Sequence, residues 1–302
     1  MRPMTENKDT PQGLAFAVTA YLLWGFLPLY MKLLSHVSAA EVVAHRVVWS
    51  LPIAAAVLIA LGRTDDIKTA LTTPRMLAMG FVTALLIALN WGIYVYAITS
   101  GNALEAALGY YINPLFSIFL GAVLLGERPS ALQVAAIALA AAAVAILTID
   151  AGTLPWIAIG LFLSWGFYAL AKKQLPIGPN QGFLLEVLIL TPPALAFMLW
   201  LGPTGIFLDS ARDTWLLLGC GVVTAIPLLI YANGAKLLRL STIAILQYIA
   251  PTMIFLVGVF IFDEPMGPAR MIAFPMIWAA LVLYSIGILR GMRTARTTKR
   301  AQ

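Results

Sequence analysis

Glu41, His45 and Arg46 stand in the run EVVAHRVVWS, which is otherwise apolar. An arginine offers a rigid cationic fork that grips a carboxylate, phosphate or carbonyl oxygen. A histidine or carboxylate beside it can carry a proton, the histidine most readily because its ordinary pKa lies near neutrality. Helical spacing puts Glu41, His45, Arg46, Trp49 and Pro52 on one side and Val43, Ala44, Val47, Val48 and Leu51 on the other, with Val42 the one interruption. A polar face on an apolar helix turns toward a bundle interior or a wet cavity. The competing reading is structural: Glu41 or another carboxylate neutralises Arg46 and ties helices together, and His45 is a satisfied core residue.

Other apolar runs carry comparable faces. Glu105, Gly109, Asn113 and Ser117 step by four along one stripe with Tyr110 at its edge, and Pro114 removes a backbone hydrogen bond in mid-run. Thr83, Asn90 and Tyr94 share a face, as do Trp24 with Tyr21 and Lys32, Trp165 with Tyr168 and Lys172, and Thr224 with Tyr231. Gln247 and Tyr248 are the polar groups of a plainer run, and Glu186 stands in another. The expected substrate-binding set is therefore Trp24, His45, Arg46, Asn90, Tyr94, Glu105, Tyr110, Asn113, Trp165, Tyr168, Tyr231, Gln247 and Tyr248. Glu41, His45, Glu105 and Glu186 are candidates for proton coupling, and Pro28, Pro114, Pro227 and Pro251 for kinks or gates. Trp156, Trp200, Trp215 and Trp278 lie near run ends, where aromatics anchor to a membrane interface.

The elements that must position these groups follow from composition. Of 302 residues, 61% are hydrophobic and 11% charged, with mean hydropathy +0.92, whereas a soluble domain carries about a quarter charged residues. Ten apolar runs long enough to cross a bilayer are expected, at about 13–34, 39–62, 76–99, 104–125, 131–149, 155–173, 181–201, 214–237, 241–262 and 270–290. They are continuously apolar rather than alternating, which excludes a membrane β-barrel. The first is too long for the apolar core of a signal peptide and lacks a small-x-small cleavage site, so it is read as retained. The Asp65-Asp66 segment, with Arg63 and Lys68, is read as a solvated loop.

Net charge is +6, and topology explains it better than nucleic acid does. With the N-terminus in the cytoplasm, the inner side collects Arg63, Lys68, Arg75, Arg128, Lys172, Lys173, Lys236, Arg239, Arg290 and the basic tails, while Arg212 and Arg270 lie outside. Both termini are then cytoplasmic. A shift of 141 lays Trp24-Gly25-Phe26 on Trp165-Gly166-Phe167, Lys32 on Lys173 and Pro52 on Pro193. A shift of 137 lays Tyr111-Ile112-x-Pro114 on Tyr248-Ile249-x-Pro251, Gly121 on Gly258 and Glu127 on Glu264. Five spans per copy is odd, so the copies enter the membrane from opposite sides, an arrangement typical of secondary transporters. The expected fold is an all-α polytopic membrane protein. Residues 1–12 form a cytoplasmic tail, 13–149 and 150–290 two inverted five-helix repeats around a central cavity, and 291–302 a basic cytoplasmic tail.

The chain has no GxxxxGK[ST] phosphate loop, no GxSxG elbow and no Cys/His cluster with metal spacing. Its histidines, His36 and His45, are too few for a multi-haem bundle, and the single Cys220 can form no intrachain disulfide. No cofactor, metal or nucleic-acid partner is expected. The expected partners are a small-molecule substrate, the lipid bilayer and protons, with the chain a monomer or weak homodimer. A non-transporting subunit or receptor would need an exposed domain, and an intramembrane enzyme a nucleophile beside His45.

The stretches AYLLWGFLPLYMKLL, AEVVAHRVVWS, NALEAALGYYINPLFSIFLGAVLLGER and LRLSTIAILQYIAPTMIFLVGVFIFDE resemble the RarD group of the EamA family, within the drug/metabolite transporter superfamily. The likeness runs from about residue 13 to 290. It implies ten helices in two inverted halves in the bacterial inner membrane, with the fifth and tenth outside a central cavity. It also implies a permease, active or facilitative, that moves a small polar or amphipathic metabolite or drug by alternating access. Spans five and ten are nearly free of polar residues, which gives the same peripheral placement independently.

Overall fold

The computed structural model describes residues 10–62, 64–125, 129–235, 237–238 and 240–300. Every regular element among them is helical: α1 Pro11–Leu33, α2 Ala39–Ala60, α3 Asp65–Thr72, α4 Pro74–Thr99, α5 Ala103–Leu125, α6 Ala131–Ala151, α7 Trp156–Gln174, α8 Pro179–Leu201, α9 Ala211–Ala235, α10 Leu240–Leu246, α11 Ile249–Phe260 and α12 Pro268–Arg300. Eight of these, α1, α2, α4, α5, α6, α8, α9 and α12, are long and apolar enough to cross a membrane. The 19-residue α7 closes on Lys172, Lys173 and Gln174, which lowers its hydropathy, and α11 is a shorter apolar helix. Glu127, Arg63, Arg128, Lys236 and Arg239, used in the repeat and charge arguments, lie outside the described residues.

The helices begin where side chains can replace the missing intrahelical bonds. Thr10 accepts from the Gly13 N–H, Ser38 from Glu41, and Ser130 with Gln133 forms a capping box. Pro11, Pro74 and Pro179 occupy first-turn positions, where a proline loses nothing.

Three expectations change. The run 241–262 is not one helix but α10 and α11, broken at Gln247 and Tyr248. Pro251 has no N–H for the Gln247 carbonyl and its ring crowds it, so the Tyr248 N–H turns to Ile245, three residues back. Pro28, Pro114 and Pro227, by contrast, sit in unbroken helices. Asp65-Asp66 is not in a loop but opens the amphipathic α3, which buries Ile67 and Ala70. The final helix runs past 290 to Arg300.

Tertiary contacts define two ends of the bundle. Ala103 meets Glu264, Glu105 meets Ile157, Glu41 meets Ile206, and His36 meets Asp213 at what we call the distal end. Thr10 meets Leu237 at the other, terminal end. Between them α1 packs on α9 and α11, α2 on α8 and α9, α4 on α7 and α8, and α5 on α7 and α11. The helices α6 and α12 lie chiefly against each other. Of α6 only Ala136, Ala140 and Ala143 are buried, a single narrow face, as its lack of polar residues implied.

Small residues set the closest crossings. A Cβ at Gly221 of α9 would stand 2.3 Å from the backbone of Trp49 on α2, and one at Gly109 of α5 would stand 2.9 Å from the Ala158 carbonyl on α7. Gly221→Ala is expected to cost about 1–3 kcal/mol through overpacking and to lower the melting temperature in detergent. Gly92→Ala, at a position with open space around it, serves as the control and is expected to leave the melting temperature unchanged or slightly higher.

Candidate functional site

The Ser38 cap fixes the start of α2, and the helix turns its polar side inward. Glu41, His45 and Arg46 are all buried, Arg46 to 3% exposure and His45 to 1%. Each meets a different environment. The Glu41 carboxylate accepts from the backbone N–H of Ile206 at 2.7 Å and of Phe207 at 3.3 Å, in the connection between α8 and α9. The His45 ring lies 4.7 Å from the Phe207 ring, and its Nδ1 accepts from the Trp49 indole N–H at 2.9 Å. That bond puts the ring proton of neutral His45 on Nε2, which has no hydrogen-bond partner.

Arg46 has no carboxylate partner among the described residues, so the ion pair considered from sequence is not formed. Its Nε donates to the Thr224 hydroxyl of α9 at 2.9 Å, and its guanidinium carbon stands 4.8 Å from the centre of the Trp91 ring on α4. Nη1 is buried without a partner among the described residues. A cation over an indole face gains something from the ring quadrupole, but the ring carries no net charge to offset the loss of water. Tyr94, Tyr110 and Cys220 lie close enough to interact with its charge. The Tyr94 hydroxyl is buried and has no hydrogen-bond partner among the described residues.

Beside this, Asn90 is fully engaged. Its Nδ2 donates to the Leu161 carbonyl and to Ser164 Oγ of α7, at 3.1 and 2.9 Å, and its Oδ1 accepts from the Tyr110 hydroxyl at 3.2 Å. The Tyr94 and Tyr110 rings are 5.9 Å apart. The structure thus gathers Arg46, Asn90, Tyr94 and Tyr110 into one buried cluster. It adds Thr224, which shared a face with Tyr231 in the sequence, and Trp91 and Ser164, which no sequence signal singled out.

The other expected residues lie elsewhere. Glu186 is 1% exposed and pairs with Lys172 on the adjacent α7 at 2.6 Å. Tyr168 donates to its second oxygen at 3.3 Å. Its cation therefore comes from the adjacent helix in the C-terminal part of the chain. Glu105 accepts from the Ile157 and Ala158 N–H groups at the start of α7, at 2.9 and 3.3 Å, away from Arg46. The sequence reading missed the equivalent role of Glu264, whose two oxygens accept from the Ala103 and Leu104 N–H groups at the start of α5.

Trp24 and Tyr231 form a half-buried aromatic knot with Tyr21, at 5.4–5.6 Å between ring centres. Trp165 packs on Tyr168 at 5.6 Å, Gln247 and Tyr248 are half-buried at the α10–α11 break, and the Tyr248 hydroxyl and Asn113 Oδ1 have no partner.

Two concavities accompany these clusters. One, of about 510 Å³, is an apolar groove between α2, α4 and α8, lined by Val43, Val47, Gly92, Tyr96 and Phe197 among others. The second, of about 400 Å³ at the distal end, includes Glu105, Asp150 and Arg270. Arg46 lines neither of these and is itself occluded. Trp156, Trp200 and Trp215 are exposed and Trp278 partly so.

Residues 11–149 match the EamA-like transporter family. An uncharacterized transporter of Vibrio cholerae serotype O1 is 42% identical over 299 residues, covering 97% of this chain and 98% of the relative. Protein RarD of Streptomyces exfoliatus is 40% identical over 296 residues, covering 97% and 94%. A solved crystal structure superposes with TM-score 0.62 at 20% identity, covering 90% of this chain and 96% of that one, a likeness of fold alone. The long apolar helices and this near-complete correspondence make the chain a multi-pass membrane protein of the EamA transporter family, with RarD proteins among its relatives.

Proposed function

We propose that the chain is a secondary permease, active or facilitative, that moves a small polar or amphipathic metabolite or drug across the bacterial inner membrane by alternating access. Arg46 carries this reading. It is a buried cation with an unpartnered Nη1, and no described carboxylate explains why it is there. Ionisable groups kept inside a membrane mark substrate and ion pathways.

The packing pattern supports ten crossing segments in two inverted halves, 13–149 and 150–290. Matching α1, α2, α4, α5 and α6 with α7, α8, α9, α10–α11 and α12 turns the more extensive inter-half contacts into others that are observed, though not the smaller α5–α12 and α3–α8 contacts. The α1–α9 contact exchanges with α7–α4, α2–α9 with α8–α4, and α1–α11 with α7–α5, while α2–α8, α5–α11 and α6–α12 map onto themselves. Lys68, Arg75, Lys172, Lys173 and Arg290 belong to the terminal end; Arg212 and Arg270, with Lys32, belong to the distal end. This supports cytoplasmic termini.

At the distal end, three carboxylates reach across the proposed halves to backbone N–H groups: Glu41 to the α8–α9 connection, Glu105 to α7 and Glu264 to α5. Such bonds to a carboxylate are stronger than neutral ones, and the starts of α5 and α7 add the positive end of a helix dipole. They act as a latch that holds the outward side shut. Trp24, Trp165, Tyr231, Gln247 and Tyr248 are half-buried, which suits them to a substrate approach from the cytoplasmic side, with the broken α10–α11 and the proline-bearing α1, α5 and α9 as the bending parts. Glu186 with Lys172 is the best-placed pair for coupling to protons.

Uptake into proteoliposomes of a broad radiolabelled metabolite panel, with and without a pH gradient, tests the assignment; no flux with any compound would overturn it. Arg46→Ala is expected to weaken half-saturation at least tenfold, about 1.4 kcal/mol, and an unchanged value would return Arg46 to a structural role. Cys220, the only cysteine and fully buried, reports the latch. Glu41→Gln combined with Glu264→Gln is expected to increase its labelling by an impermeant maleimide added from outside, and unaltered labelling would remove the latch. For the coupling pair, Lys172→Met alone is expected to cost about 3–5 kcal/mol by stranding Glu186. Adding Glu186→Gln should recover most of that stability while abolishing any uptake driven by the pH gradient. If the double variant still responds to the gradient, coupling does not run through this pair.

A further inference from the structure

The buried ionised groups can be taken one by one. Glu186 is matched by Lys172. Glu41 and Glu264 each take two backbone N–H groups. Arg46 alone among the buried ionised groups described keeps a hydrogen-bonding atom, Nη1, without a partner, and its other contacts are neutral, the Thr224 hydroxyl and the Trp91 face. The unmet requirement of this region is therefore an acceptor for a cationic donor, which an anionic oxygen meets best.

The free hydrogen-bonding capacity around Arg46 is of matching kind. Arg46 Nη1 is a donor only, and the Tyr94 hydroxyl, which can donate or accept, is free among the described residues to give its proton. The neighbouring Asn90 Oδ1 already accepts from Tyr110, and both Asn90 amide hydrogens are donated. A ligand's ammonium group would find no carboxylate beside Arg46 and would meet a like charge. A doubly charged anion would bury one charge in excess. The adjoining surfaces are the rings of Trp91, Tyr94 and Tyr110, suited to an apolar or planar body.

The geometry points to a singly charged organic anion as the ligand, its carboxylate held by Arg46 Nη1 and the Tyr94 hydroxyl and its body against the tyrosine rings. This deepens the transport reading but concerns binding, so the two can fail separately.

The test uses the full chain, purified in chloride-free detergent buffer, with melting temperature as readout. The probes are acetate, benzoate and 3-phenylpropionate, with phenylalanine and phenethylamine presenting the last scaffold as zwitterion and cation, and chloride as the inorganic anion. At least one organic monocarboxylate is expected to give a saturable rise that neither phenylalanine, phenethylamine nor chloride matches. Removing one hydrogen bond to a charged group in Tyr94→Phe, which keeps the ring packing, should raise half-saturation about tenfold, and Arg46→Gln about a hundredfold. Should Arg46→Gln fail to fold, Tyr94→Phe decides alone. A rise of equal size with phenethylamine, phenylalanine or chloride overturns the proposal, as does no rise with any of the three monocarboxylates, or unchanged half-saturation in Tyr94→Phe. Binding without flux in proteoliposomes would sink the transport reading and leave this one standing. Flux of amines alone would do the opposite.

Discussion

Taking Arg46 out of water is a cost that its own partners meet only in part, and the contacts of α2 with α4 and α9 supply those partners. An ionised group moved from water into a low-dielectric interior loses several kcal/mol even after relaxation. Part is regained from the Trp91 face and part from Thr224. The Thr224 contact depends on how closely α9 can approach. Gly221 lets α9 lie directly on the backbone of Trp49, and Thr224, one turn along α9, then reaches Arg46, close to one turn before Trp49 on α2. A side chain at Gly221 would separate the helices and leave the guanidinium with fewer partners. The crossing and the charge are one problem in packing and electrostatics.

The acidic residues solve a different problem. In hydrocarbon every backbone polar group needs a partner, and a helix start exposes N–H groups that its own carbonyls cannot reach. Glu105 and Glu264 meet this need at the starts of α7 and α5, and Glu41 does the same for the connection between α8 and α9. Each of these carboxylates comes from an element other than the one it caps. Satisfying the backbone and holding separate helices together are thus a single set of bonds at the distal end. His45 belongs to this end through its contact with Phe207, while Arg46, one residue on, faces the interior.

Much of this was readable from residue types. The long apolar runs marked the crossing helices because a bilayer of fixed thickness demands a fixed length. The position of α6 at the periphery followed from its alanine-rich, uncharged run. The break at Gln247 and Tyr248 was missed, although Pro251 signalled it, because Pro28, Pro114 and Pro227 offer the same local signal inside unbroken helices. What surrounds a proline decides whether the freed carbonyl can be tolerated. The amphipathic α3 was hidden by its aspartates and lysine, which look like solvated loop until Ile67 and Ala70 find an apolar surface.

The sequence by itself determined the class of molecule, the face of α2 that carries charge, and Arg46 as a group needing explanation, because a charge in an apolar run is costly wherever the chain folds. Only the tertiary structure decided which carboxylates were already spent. Glu41 and Glu105 looked as available as any other acid until α7 and the α8–α9 connection delivered backbone donors to them. Glu186 found Lys172, Asn90 found Ser164 and Tyr110, and Arg46 found Trp91 and Thr224. All but the Asn90–Tyr110 and Lys172–Glu186 contacts join residues 45 or more positions apart in the chain. Hydrogen bonds and cation–ring contacts act over a few ångströms, so helical periodicity can name a face but cannot say what that face will meet.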